Sequence, residues 1–137
     1  MPNPPKLSRV MLVDDNEVDL KIHSRIITLT NLFDKIIQCN SADSALSYLH
    51  KNLKKPEELP NFILLDIQMP DMNGFEFLEA YKKFPEELTN HCAIVMLSST
   101  LDFGDIKKAE ANAYVVKLLK KPLNPAELKE LINLYSL

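Results

Sequence analysis

Five short apolar runs, each followed by a stretch of helical spacing, constrain this chain more than any other feature. The runs are VMLV (10–13), KIIQC (35–39), FILL (62–65), AIVML (93–97) and VVKLL (115–119). Several are continuous, with no polar face, as a parallel strand covered on both sides requires. The stretches between them carry apolar residues at helical steps. Val18, Ile22, Ile26, Leu29 and Phe33 form one predicted stripe, and Ala42, Ala45, Leu46, Leu49 and Leu53 a second. Phe75, Leu78 and Tyr81 or Lys82 begin a third, and Ile106, Ala109 and Ala113 mark a weaker helix near 102–112. The last helix is best marked: Asn124 caps it, Pro125 takes its first position, Glu127 follows three after the cap, and Leu128, Leu131, Ile132 and Tyr135 form its stripe.

Alternating β and α elements predict an α/β domain around a parallel sheet, with right-handed crossovers placing helices on both faces. A chain of 137 residues, 46% hydrophobic and 26% charged, has the size and composition of one globular domain. We expect that domain to span 1–137, with its core at about 7–136. The formal net charge of −3 offers no basic excess for nucleic acid. No apolar window is long enough for a membrane span, and the start, MPNPPKLSRV, is too short and polar for a signal peptide. Cys39 and Cys92 form no CxxC pair and are expected as buried free thiols of a reducing, cytoplasmic compartment. His23, His50 and His91 lack metal-ligand spacing and are expected as structural or surface residues.

In such folds ligands bind beyond the carboxyl ends of the strands. Asp14 and Asp15 follow the first run, Asp66 the third, Ser98, Ser99 and Thr100 the fourth, and Lys121 the fifth. Each has a structural alternative. One aspartate of the pair can cap the helix beginning near Glu17, Asp66 can open a turn, and Ser98 can cap a helix or be a satisfied loop hydroxyl. Singly, those alternatives are at least as good. Together they are weaker, because the fold brings three carboxylates to one edge, where they repel and raise one another's pKa. A divalent cation relieves that repulsion, and a few oxygen ligands on loops suit Mg2+. Cation and lysine together can draw in a phosphoryl group, with Asp66 as nucleophile, Lys121 neutralising its oxygens and Ser98 hydrogen-bonding one of them. Among the lysines of YVVKLLKKPL, Lys117 lies ~13 Å back along a strand rising ~3.3 Å per residue, and Lys120 points to the other face. Lys121 is the chemical one.

The segments MLVDDNEVD, ILLDIQMPDMNGFEFL, VMLSST and KKPLNPAEL are similar to the receiver domain of two-component response regulators. The similarity covers nearly the whole chain, with the motifs in order. It implies a flavodoxin-like (βα)5 fold, doubly wound, with five parallel strands in the order 2-1-3-4-5. It implies that Asp66 is the phosphoacceptor, and that Asp15, Asp66 and the Gln68 main-chain carbonyl bind Mg2+, Asp14 acting largely through a water. Ser98 takes the switch-hydroxyl position and Lys121 the phosphate-contacting one, with a Lys121–Pro122 bond that is often cis in the family. The phosphodonor it implies is a histidine kinase or histidine phosphotransfer protein. Output is expected through a protein contact on the fourth helix, fifth strand and fifth helix; Lys107, Lys108, Lys117 and Lys120 are candidates for that surface, and a solvated basic face explains them equally well. The protein is expected to be no enzyme in the usual sense, but a module that assists its own phosphorylation and dephosphorylation. Met1 and the short tail favour a complete stand-alone receiver over a piece of a hybrid kinase or transcription factor.

Three departures stand out. Asp15 and Asp66 lie 51 positions apart, longer than usual, with the extra length in HKNLKKPEELPN. Ser99 follows the switch hydroxyl where a small apolar residue is common. Leu118 stands where an aromatic often precedes the lysine by three. Gln68 and Thr100, at positions that tune hydrolysis in the family, are not acidic, so a long-lived phosphoryl group is expected. A dehalogenase-type phosphatase would need an acid at position 68. A flavodoxin-type flavin site would need a glycine-rich loop, and the glycines are Gly74 and Gly104 alone.

Overall fold

A computed structural model of the chain describes residues 7–135. In chain order the elements are β1 (Leu7–Val13), α1 (Glu17–Thr30), β2 (Phe33–Cys39), α2 (Ala42–Lys51), a 3-10 turn (Pro56–Glu58), β3 (Phe62–Asp66), α3 (Gly74–Tyr81), α4 (Glu86–Thr89), β4 (Ala93–Ser98), α5 (Phe103–Ala111), β5 (Val115–Lys120) and α6 (Pro125–Tyr135). The strands form one parallel sheet in the order β2-β1-β3-β4-β5. This is the expected flavodoxin-like topology. The order reverses direction at β1, so β1 and β3 lie side by side with their carboxyl ends together.

Alternation along the strands sorts the core into two layers. Met11, Val13, Ile63, Leu65 and Met96 pack against Ala45 and Leu49 of α2, Phe77, Leu78 and Tyr81 of α3, and Ala109 of α5. Val10, Leu12, Leu64, Val95 and Leu97 pack against Leu20 and Ile27 of α1 and Leu128, Leu131 and Ile132 of α6. Every residue of β3 is buried, which explains its unbroken apolar run.

The expected stripe of α1 is the main correction. Leu20, His23 and Ile27 are its buried residues, whereas Val18 is 63% and Leu29 74% exposed. Both sets are spaced for a helix face, so periodicity alone could not choose between them. A histidine in the buried set concealed it further. Phe33 belongs to β2, because Asn31 closes α1 in the left-handed conformation at φ 55°. In α3 Phe77 is buried and Lys82 exposed, and Ala113 lies exposed past the end of α5. The short α4 was not foreseen; its single turn follows Pro85 and lowers Leu88 into the α2–α3 layer. At the C-terminus Asn124 accepts from the Ala126 and Glu127 amides, as expected of a cap. The side chain of Tyr135 and residue 136, the expected core limit, lie outside the described residues.

The choice of helix face is measurable. Ile27→Ala should lower the unfolding free energy by about 2–5 kcal/mol, and Leu29→Ala should change it by less than about 0.5 kcal/mol. Urea denaturation of the two variants checks the ranking, and a reversed order would return the exposed stripe to the core.

Candidate functional site

The site forms where β1, β3, β4 and β5 end. The Asp14 amide still donates to the Cys39 carbonyl of β2 at 3.1 Å, which fixes the backbone as β1 turns toward α1. Asp14 and Asp66 are buried and Asp15 is exposed. Oxygens from all three carboxylates lie within 4.8 Å of one another. Gly74 lets α3 start close against the end of β3. A Cβ there would meet the Asp66 carbonyl oxygen and Met96 Cε, each at 2.8 Å.

Lys121 is placed by its backbone. Its amide donates to the Ser98 carbonyl at 2.8 Å, and its bond to Pro122 is cis. Its side chain, 12% exposed, brings Nζ to 2.8 Å from Asp14 Oδ2, 2.9 Å from Asp19 Oδ2 and 3.2 Å from Asp66 Oδ1. Lys117 and Lys120 are exposed. The structure thus separates the three lysines as strand geometry predicts.

The other expected residues lie nearby with different engagements. Gln68 is exposed, and its amide is 3.4 Å from Asp66 Oδ1. An open cleft of about 520 Å³ is lined by Asp15, Gln68, Asn73, Phe75 and Lys108, among others. Ser98 is buried at the end of β4, but its hydroxyl turns into its own loop. It donates to the Thr100 carbonyl and accepts from the Thr100 amide. Leu118 is partly buried and lines a cavity of about 400 Å³ with Leu101, Ile106, Ala109 and Val115. That cavity stands where the resemblance leads one to expect an aromatic ring.

Two residues of the site were missed from the sequence. Asp19 lies four positions past Asp15, on the first turn of α1, and the signal was available by projecting that turn toward the strand ends. His23 follows one turn later. It is buried with no partner for Nε2. Burial and the charge of Lys121 lower its pKa against the opposing pull of Asp19 and Asp14, which keeps the ring neutral.

Burial, then the charge of Asp14, pushes Asp66 up to about 6, with Lys121 offsetting part of the rise. Burial alone would lower the Lys121 pKa, but its bonds to Asp14 and Asp19 and the charge of Asp66 raise it overall. Asp66 is therefore a carboxylate at neutral pH and Lys121 a cation. The oxygen-only carboxylate set fits a hard cation such as Mg2+, and the open cleft leaves room for water ligands. Thiol chemistry has no place here, because burial pushes Cys39 up to about 11 and Cys92 up to about 12. Among the described residues no helix is long and apolar enough to cross a membrane.

The raised Asp66 pKa has a sign that can be tested in metal-free protein. From about 4 to about 6 the folded chain keeps a proton on Asp66 that the unfolded chain has released, since the ordinary value is 3.8. Stability contributed by this group is therefore present at low pH and lost as pH rises through that window. Urea denaturation in chelator should show the wild type losing stability relative to Asp66→Asn from pH 4 to 7. A pH-independent difference would contradict it.

The family model of the response regulator receiver domain matches residues 10–133. The chain is 29% identical to the probable methanogenesis regulatory protein FilR2 of Methanothrix harundinacea, over 90% of this chain and 78% of that protein. It is 31% identical to the two-component response regulator ARR2 of Arabidopsis thaliana, over 93% of this chain but 17% of that protein. The crystal structure of a two-component response regulator from Cytophaga hutchinsonii superimposes with a TM-score of 0.87 at 31% identity, covering 93% of this chain and 96% of that one. With the doubly wound fold and the acidic strand-end site, these matches establish that the chain belongs to the receiver domain family of two-component response regulators, phosphoacceptor signalling modules rather than classical enzymes.

Proposed function

We propose that Asp66 accepts a phosphoryl group from a phosphohistidine of a histidine kinase or histidine phosphotransfer protein. The observation that carries this reading is the position of Asp66. It is the buried carboxylate on which Asp14, Asp15 and the Lys121 amine converge. Of the acids in the group it alone lies within a strand, as the last residue of β3, paired with Leu97 of β4. An Asp66 oxygen attacks phosphorus, the O–P bond forms, and the P–N bond to the donor imidazole breaks with its electron pair going to nitrogen.

Asp15, Asp66 and the Gln68 main-chain carbonyl, with Asp14 acting through a water, would hold Mg2+, which when bound would supply positive charge toward the phosphoryl oxygens. Lys121 is already 3.2 Å from Asp66 and exchanges that contact for a phosphoryl oxygen. Ser98 has to turn away from the Thr100 carbonyl to donate to another. That rotation couples the chemistry to the loop before α5. The cavity beside Leu118 gives the loop and α5 space to settle without an aromatic ring moving. The output face expected from the fourth helix, fifth strand and fifth helix corresponds to α5, β5 and α6, because α4 shifts the count. Phe103, 71% exposed with Lys107 Nζ 4.7 Å from its ring centre, is an anchor for a protein partner there.

The unit acting this way spans 1–137, with its core at about 7–136. The free thiols of Cys39 and Cys92 suit a reducing compartment such as the cytoplasm. The same site assists hydrolysis of its own phosphoryl group, slowly, since neither Gln68 nor Thr100 can act as a base toward water.

Incubation with Mg2+ and a small acyl phosphate should add one phosphoryl group by intact mass. Asp66→Asn should abolish the labelling, and unaltered labelling of that variant would overturn the assignment. After removal of the donor the group should persist for minutes or longer; loss within seconds would contradict the slow-hydrolysis reading. Separately, Mg2+ should raise the thermal midpoint of the wild type and leave that of Asp15→Asn nearly unmoved.

A further inference from the structure

Lys121 is held by a carboxylate that phosphoryl transfer at Asp66 does not itself use. Asp19 Oδ2 lies 2.9 Å from Nζ, joining the start of α1 to the end of β5 across 102 positions of sequence. Asp19 takes the third position after the cap residue Asn16, whose side chain accepts from the Val18 and Asp19 amides. An acid at that position commonly reaches back to the amide of the cap residue. Glu76 does so in α3, accepting from the Asn73 amide at 3.1 Å. In α1 the Asn16 amide instead donates to Asp14 Oδ1 at 3.0 Å. The Asp19 carboxylate is released from helix capping and turned inward to the lysine.

An ammonium group has three protons to donate, and three carboxylates surround this one: Asp14, Asp19 and Asp66. Asp14 and Asp66 belong to the group of acids able to hold a cation, together with Asp15; Asp19 does not. When cation and phosphoryl group engage Asp14 and Asp66, Asp19 is the carboxylate still committed to Lys121. The lysine has a flexible four-carbon stem, so an amine with one fixed partner loses less freedom on meeting phosphate. We infer that Asp19 is a positioning residue that keeps the Lys121 amine aimed at Asp66 throughout the phosphorylation cycle. This inference rests on the phosphoacceptor reading of Asp66. Its chemical content is a charge-assisted hydrogen bond outside the cation site.

The test combines a direct view of the amine with kinetics. Asp19 is partly exposed, with 32% of its side chain accessible, so Asp19→Asn should fold, and its thermal midpoint verifies that. In metal-free wild-type protein the held Lys121 ammonium should give a resolved nitrogen–proton NMR signal, assigned by its loss in Lys121→Ala. Asp19→Asn should abolish that signal by speeding exchange with water. With Mg2+ and a small acyl phosphate, Asp19→Asn should be labelled about tenfold more slowly, as expected from weakening one charge-assisted bond. In the Lys121→Ala background the same substitution should change labelling less than about twofold, because Asp19 acts through the lysine. Where Lys121→Ala is labelled too slowly to compare, loss of the ammonium signal together with slowed labelling decides for the inference. Absence of the ammonium signal from the wild type, its persistence in Asp19→Asn, unslowed labelling, or equal slowing in both backgrounds overturns it. Failure of the wild type to be labelled at all would instead count against the Asp66 reading, while the ammonium signal would still report whether Asp19 holds the lysine.

Discussion

The Lys121 amine, set among Asp14, Asp19 and Asp66, is the interaction on which the rest of the site depends. Without it, buried Asp14 and Asp66 would face each other with their repulsion unrelieved. With it, Asp66 remains ionised at neutral pH even though burial and Asp14 push its pKa up to about 6. One cation does not balance the surrounding acids, however. The site retains excess negative charge and an open side at Asp15 and Gln68, which is the electrostatic condition for recruiting a divalent cation and then a phosphoryl group.

The fold serves that arrangement through ordinary packing. A parallel sheet covered on both faces needs apolar residues along the covered parts of its central strands, Val10–Val13 of β1, Phe62–Leu65 of β3 and Ile94–Leu97 of β4, and these strands end together because their registers are fixed by paired backbone bonds. Polar chemistry is then confined to the last residue of each strand or the first residues past it. The Lys121 amide bonded to the Ser98 carbonyl continues the β4–β5 contact one residue past β5, holding the lysine backbone beside the loop that follows β4. Gly74 contributes by what it lacks, since a side chain there would press on the Asp66 carbonyl. Asp66 sits within the paired end of β3, whereas the Ser98 hydroxyl is engaged within its own loop.

Much of this was legible in the sequence, because it follows from local pattern. Short apolar runs, several of them continuous, identified all five strands, and the DD, D and KP positions after them pointed to Asp14, Asp15, Asp66 and Lys121. Strand geometry separated Lys121 from Lys120 by alternation and from Lys117 by the rise of the strand. The illegible parts depend on tertiary rotation. Helix α1 carries apolar residues on more than one side, and its orientation buries His23 while leaving Val18 and Leu29 outside. The same orientation places Asp19 at the lysine, so the wrong helix face and the overlooked carboxylate were one error. Ser98 could be assigned to the site by its place after β4. That its hydroxyl bonds to Thr100 could not, because a hydroxyl's partner is decided by loop geometry.

Everything proposed for this site turns on Asp66 being the carboxylate that accepts the phosphoryl group. The most direct measurement starts from a phosphorylated histidine phosphotransfer protein as donor, with Mg2+ present. Borohydride then reduces the acyl phosphate to an alcohol, and peptide mass spectrometry finds the altered residue. The account predicts that residue 66 alone is converted to homoserine. Conversion at Asp14, Asp15 or Asp19 instead, or none in protein shown to carry phosphate, would contradict it.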